Sequence, residues 1–253
     1  MKKYACLLLL VLLLFGVGAS LYRYGQWRHT QRNMASVYEP VYEMMEDAPT
    51  LDAPTTAPIL PSPSQIQQVA NHYESVIGWL EIPGVLRYPV VQAADNTFFL
   101  THDFQGRSSA CGSIFMDFQN DCTPLNQNTV LYGHNMGRAS KLMFSQLTRY
   151  KSLSFWRSHP TLTFDTADQS YGTWTIFAVC HLPASQASSF FAKEFVSRAA
   201  FTSFVREAQQ NALYDTGIQA PENSRLLTLV TCDRSRYGKE GRLLVLAFCS
   251  SEL

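Results

Sequence analysis

The chain has 253 residues, 46% of them hydrophobic and 16% charged, which is enough apolar material for one good-sized globular domain with appendages. Lys plus Arg and Asp plus Glu number 20 each, so there is neither a basic field to recruit nucleic acid nor an acidic tail to act as a solvating arm. Nucleic-acid binding is excluded on that ground.

Met1-Lys2-Lys3 precede an uncharged, Leu-rich stretch from Ala5 to Tyr22, and Arg23 and Arg28 follow it. As a helix this stretch reaches roughly 27 Å, just enough to cross a hydrocarbon core, which predicts a membrane anchor over residues 1–22. Val17-Gly18-Ala19 has the small residues of a secretory cleavage site, yet the apolar run continues past it, which favours an uncleaved anchor. Lys2 and Lys3 would stay cytoplasmic. The expectation is a single-pass cell-membrane protein, held by its N-terminal helix, with the rest of the chain outside. Over residues 23–64, Pro49, Pro54, Pro58, Pro61 and Pro63 are interspersed with Thr, Ala and Ser. Such a composition extends as a semi-rigid spacer, here an extracellular stalk, with a marginal helix from Met34 to Met45.

A globular domain is expected over residues 65–253. Ser64 followed by Gln67 forms a capping-box pattern, and Ile66, Val69, Ala70, Tyr73 and Ile77 fall at helical spacing, predicting a helix over 65–77. Short β-like runs separated by turn residues follow at 78–82, 88–92, 112–117, 129–132, 161–164, 173–181, 226–232 and 242–249. Many short strands with few long helices indicate a mostly β fold, a barrel or sandwich. Two helical insertions interrupt it, at 141–148 and at 193–211, the second offering Phe195, Ala199, Phe201, Phe204, Val205 and Ala208 for an apolar face.

Six cysteines occur, at 6, 111, 122, 180, 232 and 249. None has Cys-x-x-Cys spacing, and Cys180 and Cys249 sit in apolar runs as small hydrophobes. The residues leave open a Cys111–Cys122 bridge or two unpaired thiols. No metal or cofactor is implied.

The chemistry concentrates at two places. Leu226 to Thr231 form an apolar strand that ends on Cys232, and Arg242 heads a second apolar strand ten residues after that thiol. Joined by the polar, Gly-bearing segment 233–241, the two read as an antiparallel hairpin that sets Cys and Arg side by side. Tyr132-Gly133-His134-Asn135 closes another strand on a Gly turn and offers an imidazole. A thiol is a nucleophile only as thiolate, and His134 can take its proton and later protonate a leaving amine. Arg242 keeps its charge and offers a fixed fork of donors to an oxyanion. Its strand carries Leu244, Leu246 and Phe248 on the same side, and a cation on an apolar face is costly unless an acceptor awaits it. A salt bridge from Arg242 to Asp233 or Glu240 is the plainer alternative.

Tyr132-Gly133-His134-Asn135-Met136, Thr228-Leu229-Val230-Thr231-Cys232 and the later Arg242 resemble the signature of the sortases, and most nearly of their class B branch. Gly78 to Gly84, Tyr88 to Gln92, Asp95-Asn96, His102-Asp103-Phe104 and Gly112 to Asp117 stand in the order that branch shows. The likeness spans residues 65 to 249. It implies a sortase-like closed β-barrel of about eight strands, with an N-terminal helix and a helical insertion before the Cys strand. The implied activity is that of a cysteine transpeptidase acting on a sorting-motif peptide of secreted surface proteins. Cys232 would attack the carbonyl of the motif's Thr, His134 would protonate the departing amine, and Arg242 would steady the oxyanion. A cell-wall precursor amine would then resolve the thioacyl enzyme. Asn96 and Tyr132 match pocket-lining positions. Class B members often carry Ser two residues before the Cys, where this chain has Val230, so motif preference is open. Three other readings remain: a pilin-polymerising enzyme using a subunit Lys, a hydrolytic cysteine protease, and an idle binding domain, the last opposed by the intact Cys232, His134 and Arg242.

Overall fold

The computed structural model describes residues 2–46, 63–137, 139–222 and 224–249, and the chain divides into two compact units, residues 1–43 and 44–253. The second unit is built on a closed barrel of eight strands: β1 (Val76–Ile82), β2 (Leu86–Val91), β3 (Ile114–Met116), β4 (Asn128–Tyr132), β5 (Thr161–Thr166), β6 (Thr173–Pro183), β7 (Arg225–Cys232) and β8 (Gly241–Cys249). Around the barrel they run β1-β2-β3-β4-β7-β8-β6-β5. Two neighbouring pairs, β2 with β3 and β4 with β7, are parallel; the other six are antiparallel.

Strands β7 and β8 are buried on both faces, so each reads as a continuous apolar run and not as an alternation. One face, with Leu226, Val230, Leu244, Leu246 and Phe248, packs under Phe201, Phe204, Val205 and Ala208 of the helix Arg198–Gln210. Those four helical positions share one stripe, and Ser197 caps the helix by accepting from the Ala200 amide at 3.2 Å. Leu227, Leu229, Leu243 and Val245 alternate to the opposite side, the barrel interior, and are fully buried.

Several expected boundaries move. The first helix of this unit covers Pro63–His72 and not 65–77. A turn closed by the Val76 amide on the Tyr73 carbonyl ends it, and β-branched Val76 and Ile77 join the sheet instead. The side chain of Ser64, the expected cap, lies outside the described residues. The insertion expected at 141–148 is a 3₁₀ run at Phe144–Lys151. Cys111 and Cys122 are both free, and burial pushes the Cys111 thiol up to about 11.

In the first unit the apolar stretch belongs to one long helix, Lys2–Glu46, which continues through the start of the expected stalk; residues 47–62, with most of its prolines, lie outside the described residues. Among the described residues no helix is long and apolar enough to cross a membrane. This overturns the expectation of a single-pass membrane protein, anchored by its N-terminal helix with an extracellular catalytic domain.

The β7–β8 connection is tightly built. Asp233 caps the short helix Arg234–Tyr237 by accepting from the Ser235 amide at 2.9 Å, and the Asp233 amide donates to the Gly241 carbonyl at 3.0 Å. A Cβ placed on Gly241 would stand 1.9 Å from the Asp233 carbonyl oxygen, so this position has no room for a side chain. Gly241→Ala should therefore lower stability by about 1–3 kcal/mol through overpacking, read as a reduced midpoint in thermal unfolding; an unchanged midpoint would mean the loop relaxes freely.

Candidate active site

Three strand ends converge on one spot. In the parallel pair, Tyr132 of β4 stands opposite Val230 of β7. The pairing outlasts the strands: the Gly133 amide donates to the Val230 carbonyl at 3.2 Å, and the Thr231 hydroxyl donates to the Gly133 carbonyl at 2.7 Å. One residue further, His134 falls beside Cys232, and Asn135 Nδ2 donates to the Cys232 carbonyl at 2.8 Å. On the other flank Cys232 is the register partner of Arg242 in β8. Since neighbouring strands lie about 4.8 Å apart and side chains alternate with period two, these two registers alone bring imidazole, thiol and guanidinium to one edge.

Gly133 makes the β4 exit possible. A Cβ there would sit 2.8 Å from the Phe144 ring, while the Phe144 amide donates to the His134 carbonyl at 3.0 Å. His134 Nε2 lies 2.8 Å from the Leu100 carbonyl oxygen. A carbonyl can only accept, so Nε2 carries a proton and Nδ1 is the nitrogen left for chemistry. Arg242 Nη1 donates to the carbonyls of Lys239 and Gly241, both at 3.0 Å. A guanidinium has five N–H groups, so these bonds fix its plane without exhausting its donors.

All five residues singled out in the sequence, Asn96, Tyr132, His134, Cys232 and Arg242, line a single cleft of about 440 Å³. Leu100, Phe115, Phe191 and Val230 supply its apolar walls. A second cleft of about 700 Å³ adjoins it, sharing His134 and Cys232 but lined by the polar Asn135, Asp233, Arg234 and Ser235. Cys232 thus stands at the meeting point of an apolar groove and a polar one.

Sequence reasoning missed several residues that hold this arrangement. Asn135 and Phe191 act through contacts with chain 97 and 59 positions away, respectively (Asn135 to Cys232, Phe191 to Tyr132), and no local pattern reveals such partners. In the sequence Asp233 stands out only as a partner for Arg242, whereas in the structure it pairs with Lys151 Nζ. Burial of Asp233 works against its ionisation, but hydrogen bonds from Lys151 and Ser235 outweigh it and hold the carboxyl below the ordinary value.

The sortase domain family model matches residues 80–249 of this chain. Sortase B of Listeria monocytogenes serovar 1/2a is 29% identical over 197 residues, covering 78% of this chain and 78% of that one. Among solved structures, sortase B from B. anthracis in complex with AAEK2 superposes with a TM-score of 0.72 at 28% identity, over 88% of this chain and 98% of that one. A sortase B complexed with triglycine gives a TM-score of 0.73 at 25% identity, over 87% and 99% of the two chains.

The depressed carboxyl of Asp233 has a pH consequence. A group whose pKa is lower folded than unfolded stabilises the protein above its unfolded value, about 3.9, and the contribution is lost as pH falls through the folded value. Asp233→Asn should therefore unfold at lower temperature than wild type at neutral pH, and the two melting curves should converge below about pH 4. A constant gap down to low pH would contradict this role for the carboxylate.

Proposed function

Because the chain belongs to the sortase family of cysteine transpeptidases, within its class B branch, we propose that it cleaves a C-terminal sorting motif of exported proteins after a Thr and transfers the acyl group to an amine of a cell-wall precursor. The observation that carries the reading is the convergence of Cys232, His134 and Arg242 in one cleft.

In this reading the Cys232 sulfur attacks the Thr carbonyl carbon, and its proton passes to His134. The oxyanion that develops lies against the Arg242 guanidinium, already oriented by its bonds to Lys239 and Gly241. Collapse breaks the C–N bond, and His134 returns a proton to the leaving amine. A primary amine then attacks the thioester, loses a proton to the imidazole and expels the Cys232 thiolate. Two clefts meeting at the sulfur suit this sequence: the apolar groove for the acyl donor, the polar one, with Asp233 and Ser235, for the incoming amine. The sortase B complexed with triglycine supports an acceptor of peptide-amine type. Val230, where the branch often carries Ser, gives this groove an apolar surface close to the thiol and bears on which motif is preferred.

The test is to incubate the protein with a panel of sorting-motif peptides, with and without an amine acceptor, and to weigh the products by mass spectrometry. Cys232→Ala should abolish the thioester adduct. Arg242→Ala should slow turnover by about 10²-fold or more. Wild-type rates in either variant would reject the corresponding assignment, and cleavage that ignores the added amine would make the chain a hydrolase.

A further inference from the structure

Beneath the groove, bonded to two of its lining residues, lies a buried carboxylate that the acyl-transfer steps do not use. Asp117 directly follows β3, and its side chain is 4% exposed. Four donors converge on it. The Gln119 amide and Lys193 Nζ reach Oδ1 at 3.0 and 3.2 Å, and the Tyr132 hydroxyl and Asn96 Nδ2 reach Oδ2 at 2.9 and 3.0 Å. Burial opposes its ionisation, but these donors prevail and hold the carboxyl below its ordinary value. Burial, reinforced by the same negative charge, pushes the Tyr132 hydroxyl well above the usual phenol range.

An ionised carboxylate only accepts, so the direction of each bond is fixed. The Tyr132 proton is committed to Asp117, and the hydroxyl oxygen is left with lone pairs for any further partner. Asn96 is held from both ends, because its Oδ1 accepts from the Phe118 amide at 3.0 Å while its Nδ2 donates to Asp117. Its second N–H remains as a donor. On the other side, Lys193 lies two residues beyond Phe191, whose ring meets the Tyr132 ring edge-on at 5.7 Å. One carboxylate thereby ties together two of the polar groups lining the groove and the segment that carries Phe191 of its apolar wall.

We propose that Asp117 is a positioning residue for the acyl donor: it orients the Tyr132 hydroxyl as an acceptor and the Asn96 amide as a donor, so that the groove offers a matched pair to an amide group of the bound peptide. This rests on reading the apolar groove as the acyl-donor site. Asp117 touches no reacting atom; its effect passes through Tyr132, Asn96 and Lys193.

The experiment combines Asp117→Asn, Tyr132→Phe and their double variant, measuring KM and kcat for a sorting-motif peptide, the rate of Cys232 alkylation by iodoacetamide, and thermal unfolding. Asn is isosteric but turns an amide against donors that need an acceptor. Asp117→Asn should raise KM by about tenfold or more with kcat within about threefold. Alkylation of Cys232 should stay within about twofold of wild type, because the thiol itself is not disturbed. The double variant should be little worse than Asp117→Asn alone, since both remove one shared interaction. Where Asp117→Asn does not fold, Asp117→Glu, which keeps the charge and displaces it by one methylene, carries the same expectation. An unchanged KM, multiplying effects in the double variant, or parallel loss of KM, alkylation and melting temperature would each overturn the assignment. Absence of any adduct in the wild-type chain would overturn the transpeptidase reading and this proposal with it, whereas an active wild type whose KM is matched by Asp117→Asn overturns this proposal alone.

Discussion

The site depends on the parallel pairing of β4 with β7 and its continuation for two residues beyond the strands. Because side chains alternate with period two, a slip of one residue in that register turns His134 away from the face that carries Cys232. The bonds from Gly133 to Val230, from Thr231 to Gly133 and from Asn135 to the Cys232 carbonyl resist such a slip. Parallel neighbours also point the same way, so both chains leave the sheet at one edge, and the antiparallel return of β8 delivers Arg242 there. Closure of the barrel holds this edge without an open strand end.

Charge around the cleft is arranged by two buried acids with different tasks. Asp233 pairs with Lys151 and caps the short helix of the β7–β8 connection, stiffening the segment from which Arg242 emerges. Asp117, under the groove, pairs with Lys193 and organises the neutral Tyr132 and Asn96. In both, burial alone would favour the protonated acid, and the donors gathered around each carboxylate reverse that preference. Each carboxylate side chain is almost fully buried, so removing its donors would leave a charge with little access to water.

Much of this is legible in the sequence, for a physical reason. β7 and β8 are buried on both faces, so their apolar runs are long and bounded by polar turn residues, and the hairpin between Cys232 and Arg242 follows from proximity along the chain. The alternation of short strands with turns points to the mostly β class, and the linked motifs resembling sortases supply the closed barrel. Boundaries set by competition are less visible. Ile77 continues a helical stripe yet is β-branched, and it joins β1 instead, its carbonyl accepting from the Ala167 amide. The long insertion reads five residues early because Phe195 belongs to the apolar cluster without being helical. Asp117 and Asn135 stand inside stretches that resemble the family, yet their roles, like that of Lys193, are not readable there, since their partners arrive from elsewhere in the barrel. At the N-terminus, composition suggests a membrane span, whereas among the described residues no helix is apolar over the length a crossing needs.

A crystal structure of the protein trapped at Cys232 by a sorting-motif peptide with an electrophilic carbonyl in place of the scissile bond tests the central claim most directly. The register of β4, β7 and β8 predicts a covalent bond to Sγ, the trapped oxygen within about 3.5 Å of the Arg242 guanidinium, and a His134 ring nitrogen within the same reach of the sulfur or the leaving-group position. A trapped peptide whose oxygen faces away from Arg242, or a His134 ring that stays on the far side of Leu100 with no approach to the sulfur, would contradict it.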